Sequence, residues 1–475
     1  MPTGQIFGRY RYAGAVFALA VAAFAALLFL HAYKNTFLDL RAFYCAGQAF
    51  AHGADPYRDA ALRSCEIALG TNVFASSVGF DQPTVPVPWA PYAMPLLALL
   101  SALPFGTAAA AWTLLNFACL AIAADLLRRS LPQLSAVVIA AFVLFAGVPT
   151  EAALGQPAGL ELLAIVAAGC CVRARSTAGI AAWLAVTALQ PYVALPLAIA
   201  LLWAGAAARR AVAACVALLA VGSALFLPRL SYEYLTVVAP EHARANVLEV
   251  TQLSFTSLLA ALGVPPDPAR IVGLLIYVAA IGAGIWAGRR LASALQRPEV
   301  LPWLATMLAT LGAPYLHFGQ LACALPGALV VLAAAPSPAY ARIGAIGLFV
   351  PWIGLLLQTT YSYTIAPFAA AMAWSPNRRD RVLRAVLAAF VLLCVDLAVS
   401  AFFREHVVNP AGYHSALLPP GALAEDSWRG FIAVQWAAIG IASLAARIVS
   451  ALGALLIAAA AIAAAARAGA RPVAA

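Results

Sequence analysis

Long stretches almost without charge recur along this chain of 475 residues from one end to the other. An α-helix needs about 20 apolar residues to cross about 30 Å of hydrocarbon, and only a helix or a closed barrel satisfies its backbone there. Such runs occupy residues 12–30, 106–127, 134–148, 157–172, 178–189, 192–206, 211–227, 271–287, 301–315, 321–335, 343–357, 365–374, 382–403, 431–446 and 448–466. The pattern predicts an all-α polytopic membrane protein with about 12 to 15 crossings, forming a single integral membrane domain over 1–475. Several runs fall short of a full span, so broken or re-entrant helices are expected. The composition agrees, since 64% of residues are hydrophobic and 10% charged, where soluble domains carry roughly a quarter charged. The first run follows Arg9 and Arg11 like a signal peptide, but it is long and no small-x-small cleavage site precedes Lys34, so it reads as a retained first span.

Arginines in short loops orient the chain. Arg9 and Arg11, Arg128 and Arg129, Arg173 and Arg175, Arg209 and Arg210, Arg289 and Arg290, Arg342, and Arg378, Arg379 and Arg381 all fall on one side, read as cytoplasmic. Three long loops then lie outside: a first loop over 32–105, expected to carry surface helices, a second over 228–270 and a third over 404–430. The net charge of +10 sits largely in the short loops, which suits topology and contact with membrane lipids rather than nucleic acid. Asp39, Glu151, Gln156, Gln190, Gln252, His317, Gln320 and Gln358 collect at outer span ends or in outer loops. This predicts one polar site at the outer membrane–water boundary, although residues near loops are polar in any case.

The segment after the first run is the most informative. Leu40, Phe43, Tyr44, Gly47 and Phe50 share one helical face, Gly53 is placed to end that helix, and Asp55-Pro56 starts a turn. An amphipathic helix on the membrane surface is the expectation. Asp39 stands at its start, where a carboxylate serves either as an N-cap or as a base that takes a proton from an acceptor hydroxyl. Cys45 and Cys65 share the same outer loop, where a disulfide would pin this helix beside Asp39. The other six cysteines, Cys119, Cys170, Cys171, Cys215, Cys323 and Cys394, read as small apolar filler within spans. Asp125, beside Arg128 and Arg129, reads as an ion pair near the inner interface. No metal-ligand spacing and no nucleotide-binding loop occurs, so no metal and no cofactor is expected.

Asp39, Phe43-Tyr44, Gly47, Gly53 and Asp55-Pro56-Tyr57 together resemble the first-loop motif of glycosyltransferase family 87, polyprenol-phosphate-mannose-dependent mannosyltransferases of the GT-C superfamily. Trp89-Ala90-Pro91 with Pro95-Leu96 and Leu103-Pro104 is similar to the family's Tyr-Pro-Pro segment, with Trp and Ala departing from it. Trp112, Asn116, Gly155-Gln156, Gly179 and Thr251-Gln252-Leu253-Ser254 follow the family's order. Gln190-Pro191 has Gln where Lys is common, and Pro314-Tyr315-Leu316-His317 with Gln320-Leu321 lacks the family's acid.

The resemblance implies a sugar donor carried on a polyprenyl phosphate, a lipid or glycan acceptor in the envelope, and an active site on the extracytoplasmic side of the plasma (inner) membrane. It casts Asp39 as catalytic base and Tyr44, Tyr57, Gln156, Gln190, Gln252, His317 and Gln320 as substrate-binding. Arg58, Arg63, Arg229 and Arg244 are outer-loop candidates for the donor phosphate. The departures at Gln190 and Gln320 leave the substrates open. A transporter or flippase of a lipid-linked substrate and a non-catalytic envelope-assembly protein are the alternative readings. The first would call for internal repeats and midplane polar residues, and neither is evident.

Overall fold

The computed structural model describes residues 37–69, 83–145, 154–335, 338–350, 418–419 and 421–470. The runs at 12–30, 365–374 and 382–403, most of the third loop, and Glu151, Gln358 and Cys394 lie outside the described residues. Among the described residues every regular element is a helix, and two isolated bridges are the only strand-like pairings. The chain is an all-α, multi-span membrane protein.

The described helices, in chain order, are first α1 (Leu38–Ala51), α2 (Asp59–Ala68), α3 (Met94–Ser101), α4 (Phe105–Ser130) and α5 (Ala136–Phe145). There follow α6 (Ala158–Arg173), α7 (Thr177–Thr187), α8 (Pro191–Leu202), α9 (Ala206–Phe226), α10 (Pro228–Glu233), α11 (Ala239–Ala245) and α12 (Phe255–Ala261). The last are α13 (Pro266–Leu295), α14 (Val300–Gly312), α15 (Leu321–Ala334), α16 (Pro338–Phe349) and α17 (Ala424–Ala470). Among the described residues, four helical segments, namely α4, α9, α13 and residues Ser443–Gly469 of α17, are long and apolar enough to cross a membrane unaided. Two of the shorter apolar helices, α14 and α15, are buried along nearly their whole length among the others. There protein neighbours replace lipid as the surrounding medium, so a helix need not match the bilayer thickness.

Two large cores divide the described residues, and a small third cluster joins Tyr277, Ala309 and Ala313. The larger is aliphatic and lies among α4 to α9 and α13 to α17, with Leu162, Trp303, Leu325 and Ala461 at its centre. Trp303 keeps its indole N–H satisfied by donating to the Ile165 carbonyl at 3.1 Å, as a buried Trp requires. The smaller core is aromatic and forms a cap from α1, α2, the segment over 83–90, α3, the start of α4 and the start of α17. Phe43 stacks at 4.5 Å on Trp89, which lies 6.3 Å from Trp112.

The cap differs from the expected surface helix in an instructive way. Helix α1 is buried continuously from Leu40 to Gly47 rather than on one stripe. It is enclosed because α3 crosses it closely at Gly47, where a Cβ would run into the Leu97 carbonyl. Its end is as anticipated: Gly53 has φ 74° and its N–H donates to Phe50 O at 3.0 Å. Cys45 and Cys65 are disulfide-bonded with 5.7 Å between Cα atoms, tying α1 to α2.

The C-terminal runs also differ from expectation. Residues 431–446 and 448–466 are not two spans but parts of one helix of 47 residues, α17. Neither Pro nor Gly stands at the joint. Instead the charge at the joint, Arg447, is fully buried and faces protein. Near the other end of the bundle, Asp125 pairs with Arg128 at 2.8 Å and with Arg129 at 2.5 Å, as the spacing predicts.

Candidate active site

The N-cap position of α1 belongs to Phe37, in the left-handed conformation with φ 64° and no side-chain cap. Asp39 lies inside the first turn and does not cap the helix. Its carboxylate instead accepts a 2.8 Å hydrogen bond from the Gln156 side-chain amide. That bond joins the cap to the membrane bundle, and Gly155 makes it possible. Gly155 has φ 86° and a Cβ there would strike Leu40, while its carbonyl accepts from Trp112 Nε1 at 2.7 Å. Only glycine tolerates both the turn and the contact. Asn116 Oδ1 steadies the same loop by accepting from the Gly159 N–H at 3.1 Å.

Burial pushes the Asp39 carboxyl up to about 6, against the opposing pull of the Gln156 hydrogen bond and of the nearby His317. Glu249, also near enough to act on this charge, raises it further. Such a group is ionised at neutral pH yet close to its titration point, which is the poise of a general base.

His317 is half-buried and gathers a second set of polar groups. Its Nε2 lies 2.7 Å from Glu249 Oε2 and its Nδ1 lies 2.9 Å from the Thr251 hydroxyl. Thr251 in turn donates to Glu249 Oε1 at 2.5 Å. Burial tends to raise the Glu249 carboxyl, but His317 and the Thr251 hydroxyl outweigh it and hold the group below the ordinary carboxylate range. The Tyr315 ring packs edge-on against His317 at 4.7 Å, and its hydroxyl meets His242 Nε2 at 3.0 Å.

The two loops that carry these groups are fastened to each other. Leu253 N–H donates to Leu316 O at 2.8 Å, and Leu316 N–H donates to Gln252 Oε1 at 3.0 Å. Gln320 Oε1 accepts from the His317 N–H at 2.8 Å. Gln252 and Gln320 therefore shape the loop backbones around His317. Arg447 completes the fastening, donating through Nε to Gln252 O at 2.9 Å, through Nη1 to Ser257 O at 3.4 Å and through Nη2 to Glu249 O.

The structure thus brings Asp39, Gln156, Gln252, His317 and Gln320 into one region, with Glu249, Thr251 and Arg447 added. Other candidates have different duties. The Tyr44 hydroxyl donates to Leu103 O at 2.9 Å, and the buried Tyr57 donates to Trp89 O at 2.8 Å, so both serve the cap's packing. Gln190 is buried at the N-cap position of α8. Arg58 pairs with Asp55 and Glu233, Arg63 with Asp59, and Arg244 with Glu241. Arg229 is exposed at the start of α10.

Glu249 and Arg447 escaped the sequence reading, though each left a signal. Glu249 is one of only 18 acidic residues and stands two positions before the Thr251-Gln252 segment. Arg447 is the lone charge that split an otherwise continuous apolar run.

No curated protein and no solved structure matches the chain. A family model does match, over residues 89–316, a range that includes Gln156, Glu249 and Thr251, ends one residue before His317 and leaves Asp39 on its N-terminal side. The matching model is that of glycosyltransferase family 87, and over that stretch the chain is similar to the family.

Proposed function

We propose that the protein transfers a sugar, mannose by the family resemblance, from a polyprenyl-phosphate donor to a lipid or glycan acceptor on the extracytoplasmic face of the plasma membrane. The observation that carries this reading is the Asp39 carboxylate, held by Gln156 at the junction of cap and bundle with a pKa raised to about 6. In the proposed step the acceptor oxygen attacks the anomeric carbon as its proton passes to Asp39. The bond from that carbon to the phosphate oxygen breaks, and polyprenyl phosphate leaves with the electron pair. The Glu249–Thr251–His317 group supports the acceptor side of the same site, where it orients a hydroxyl.

The donor phosphate needs a cation, and three of the four candidate arginines are already paired with carboxylates. Arg229 makes no ion pair among the described residues and is the one we assign to the phosphate. The test is transfer of labelled mannose from polyprenyl-phosphate mannose by purified protein in liposomes. Wild type is expected to form a labelled glycolipid and Asp39→Asn to form at least about a hundredfold less. Movement of the donor across the bilayer with no product, in wild type, would replace this reading with transport.

A further inference from the structure

At the end of α13 remote from the Asp39 cluster, a cavity of about 1230 Å³ opens between α13, the residue after α8 and the last turn of α17. Its polar lining is cationic: Arg289, Arg290 and Arg467 all border it, and Gln296 adds an amide. No Asp or Glu lines it among the described residues. The Arg289 guanidinium lies 5.2 Å above the Trp203 ring, and Arg290 lies 5.2 Å above Trp286. These stacks hold two planar donor forks in place without neutralising either, so their N–H edges stay open to an anion.

The cavity stands where phosphate groups of a bilayer would be. Trp203 is 56% exposed and Trp286 39%, at the edge of apolar spans, and such tryptophans mark the membrane–water interface. Helix α13 is about 45 Å long at 1.5 Å per residue, so this cavity and the Asp39 cluster lie at opposite ends of it. Ile285, Leu291 and Ala464 supply an apolar wall beside the arginines. A site that is cationic at its rim and apolar at its side matches a phosphodiester with acyl chains attached.

We propose that this cavity binds the headgroup phosphate of an anionic phospholipid, with Arg289, Arg290 and Arg467 as its ligands. The site is separate from the sugar-transfer chemistry and does not depend on that reading.

Native mass spectrometry of purified protein titrated with dioleoylphosphatidylglycerol or dioleoylphosphatidylcholine tests it. Wild type is expected to retain the anionic lipid at least tenfold more strongly. The combined variant Arg289→Gln, Arg290→Gln, Arg467→Gln is expected to hold both lipids equally. Undiminished preference in that variant would overturn the proposal, as would displacement of the lipid by low-millimolar inorganic phosphate, which would point to a soluble ligand. Photo-crosslinking of wild type with a diazirine-bearing phosphatidylglycerol keeps the test independent of the variant's folding. Labels are expected within 286–296 and 464–469, and labels spread evenly over all lipid-facing helices would overturn the site.

Discussion

Asp39 and Gln156 stand 117 positions apart in sequence, yet the amide of one donates to the carboxylate of the other at 2.8 Å. The pair is the polar seam between an aromatic cap and an aliphatic bundle. Because burial raises the Asp39 carboxyl to about 6, the folded protein binds this proton more tightly than the unfolded chain does. The stability linked to that proton is present at low pH and is lost as pH rises through about 6. Ionised Asp39 is therefore a cost to the fold that the proposed chemistry explains. Asp39→Asn is expected to lower transfer by roughly 10²- to 10⁴-fold, the usual contribution of a general base. At pH 8 its melting temperature is expected to equal or exceed that of wild type. A melting point several degrees lower at pH 8 would remove the functional explanation.

The pH–rate profile should rise through about 6 as Asp39 loses its proton. Gln156 stabilises the ionised form, so Gln156→Leu is expected to move this limb upward by about one unit, equivalent to about 1.4 kcal/mol. Rates of single turnover across pH 5 to 8 would show it. An unmoved limb would separate Gln156 from the titration of Asp39.

Glu249→Gln tests the second group. It leaves His317 facing a neutral amide at 2.7 Å in place of a carboxylate. Breaking a buried pair from one side costs about 3–5 kcal/mol, and the partial exposure of His317 places the expected loss at or below the lower end. Because the Glu249 carboxyl is held below its ordinary range, its contribution is fully present above that range and is lost as pH falls below it, through the lower value of the folded state. Acid unfolding of the wild type should therefore include a component that Glu249→Gln lacks.

Arg447→Met is expected to leave the carbonyls of Glu249, Gln252 and Ser257 without this partner. Each unsatisfied buried acceptor costs about 1–3 kcal/mol, so a loss of at least about 3 kcal/mol is expected in thermal unfolding in detergent. Arg447→Lys should recover only part, because a single ammonium cannot reach three carbonyls as the guanidinium fork does.

Replacing Cys45 and Cys65 with alanine removes the tie between α1 and α2. Closing a loop of this size is worth about 3 kcal/mol in the chain-entropy account. The double variant should melt lower, and non-reducing alkylation of wild type should leave both thiols unlabelled.

The membrane architecture was legible because lipid imposes a simple demand, long apolar helices with arginine in their short loops. The Gly155-Gln156 segment, Gln252 and His317 were legible through their place at span ends and their resemblance to the family's motifs. The enclosure of α1 was not, since its amphipathic spacing is the same whether α3 or a membrane covers the second face. The displacement of Asp39 from the cap position was hidden too, because a carboxylate in a first turn suits both arrangements. Arg447 misled the reading for a related reason. Charge in an apolar run ordinarily marks an end, and only the backbone carbonyls brought in from some 190 positions earlier allow it to sit within a helix.

That grip by Arg447 also bears on the order in which the protein matures. The ribosome delivers Glu249, Thr251 and His317 well before α17 exists. Until α17 arrives, the carbonyls it will clasp must find water or another donor. The proposed arrangement is consequently finished only once α17, which begins more than a hundred positions after His317, has been made. A nascent chain released early would carry every proposed chemical group and still lack the fastening that sets them in register.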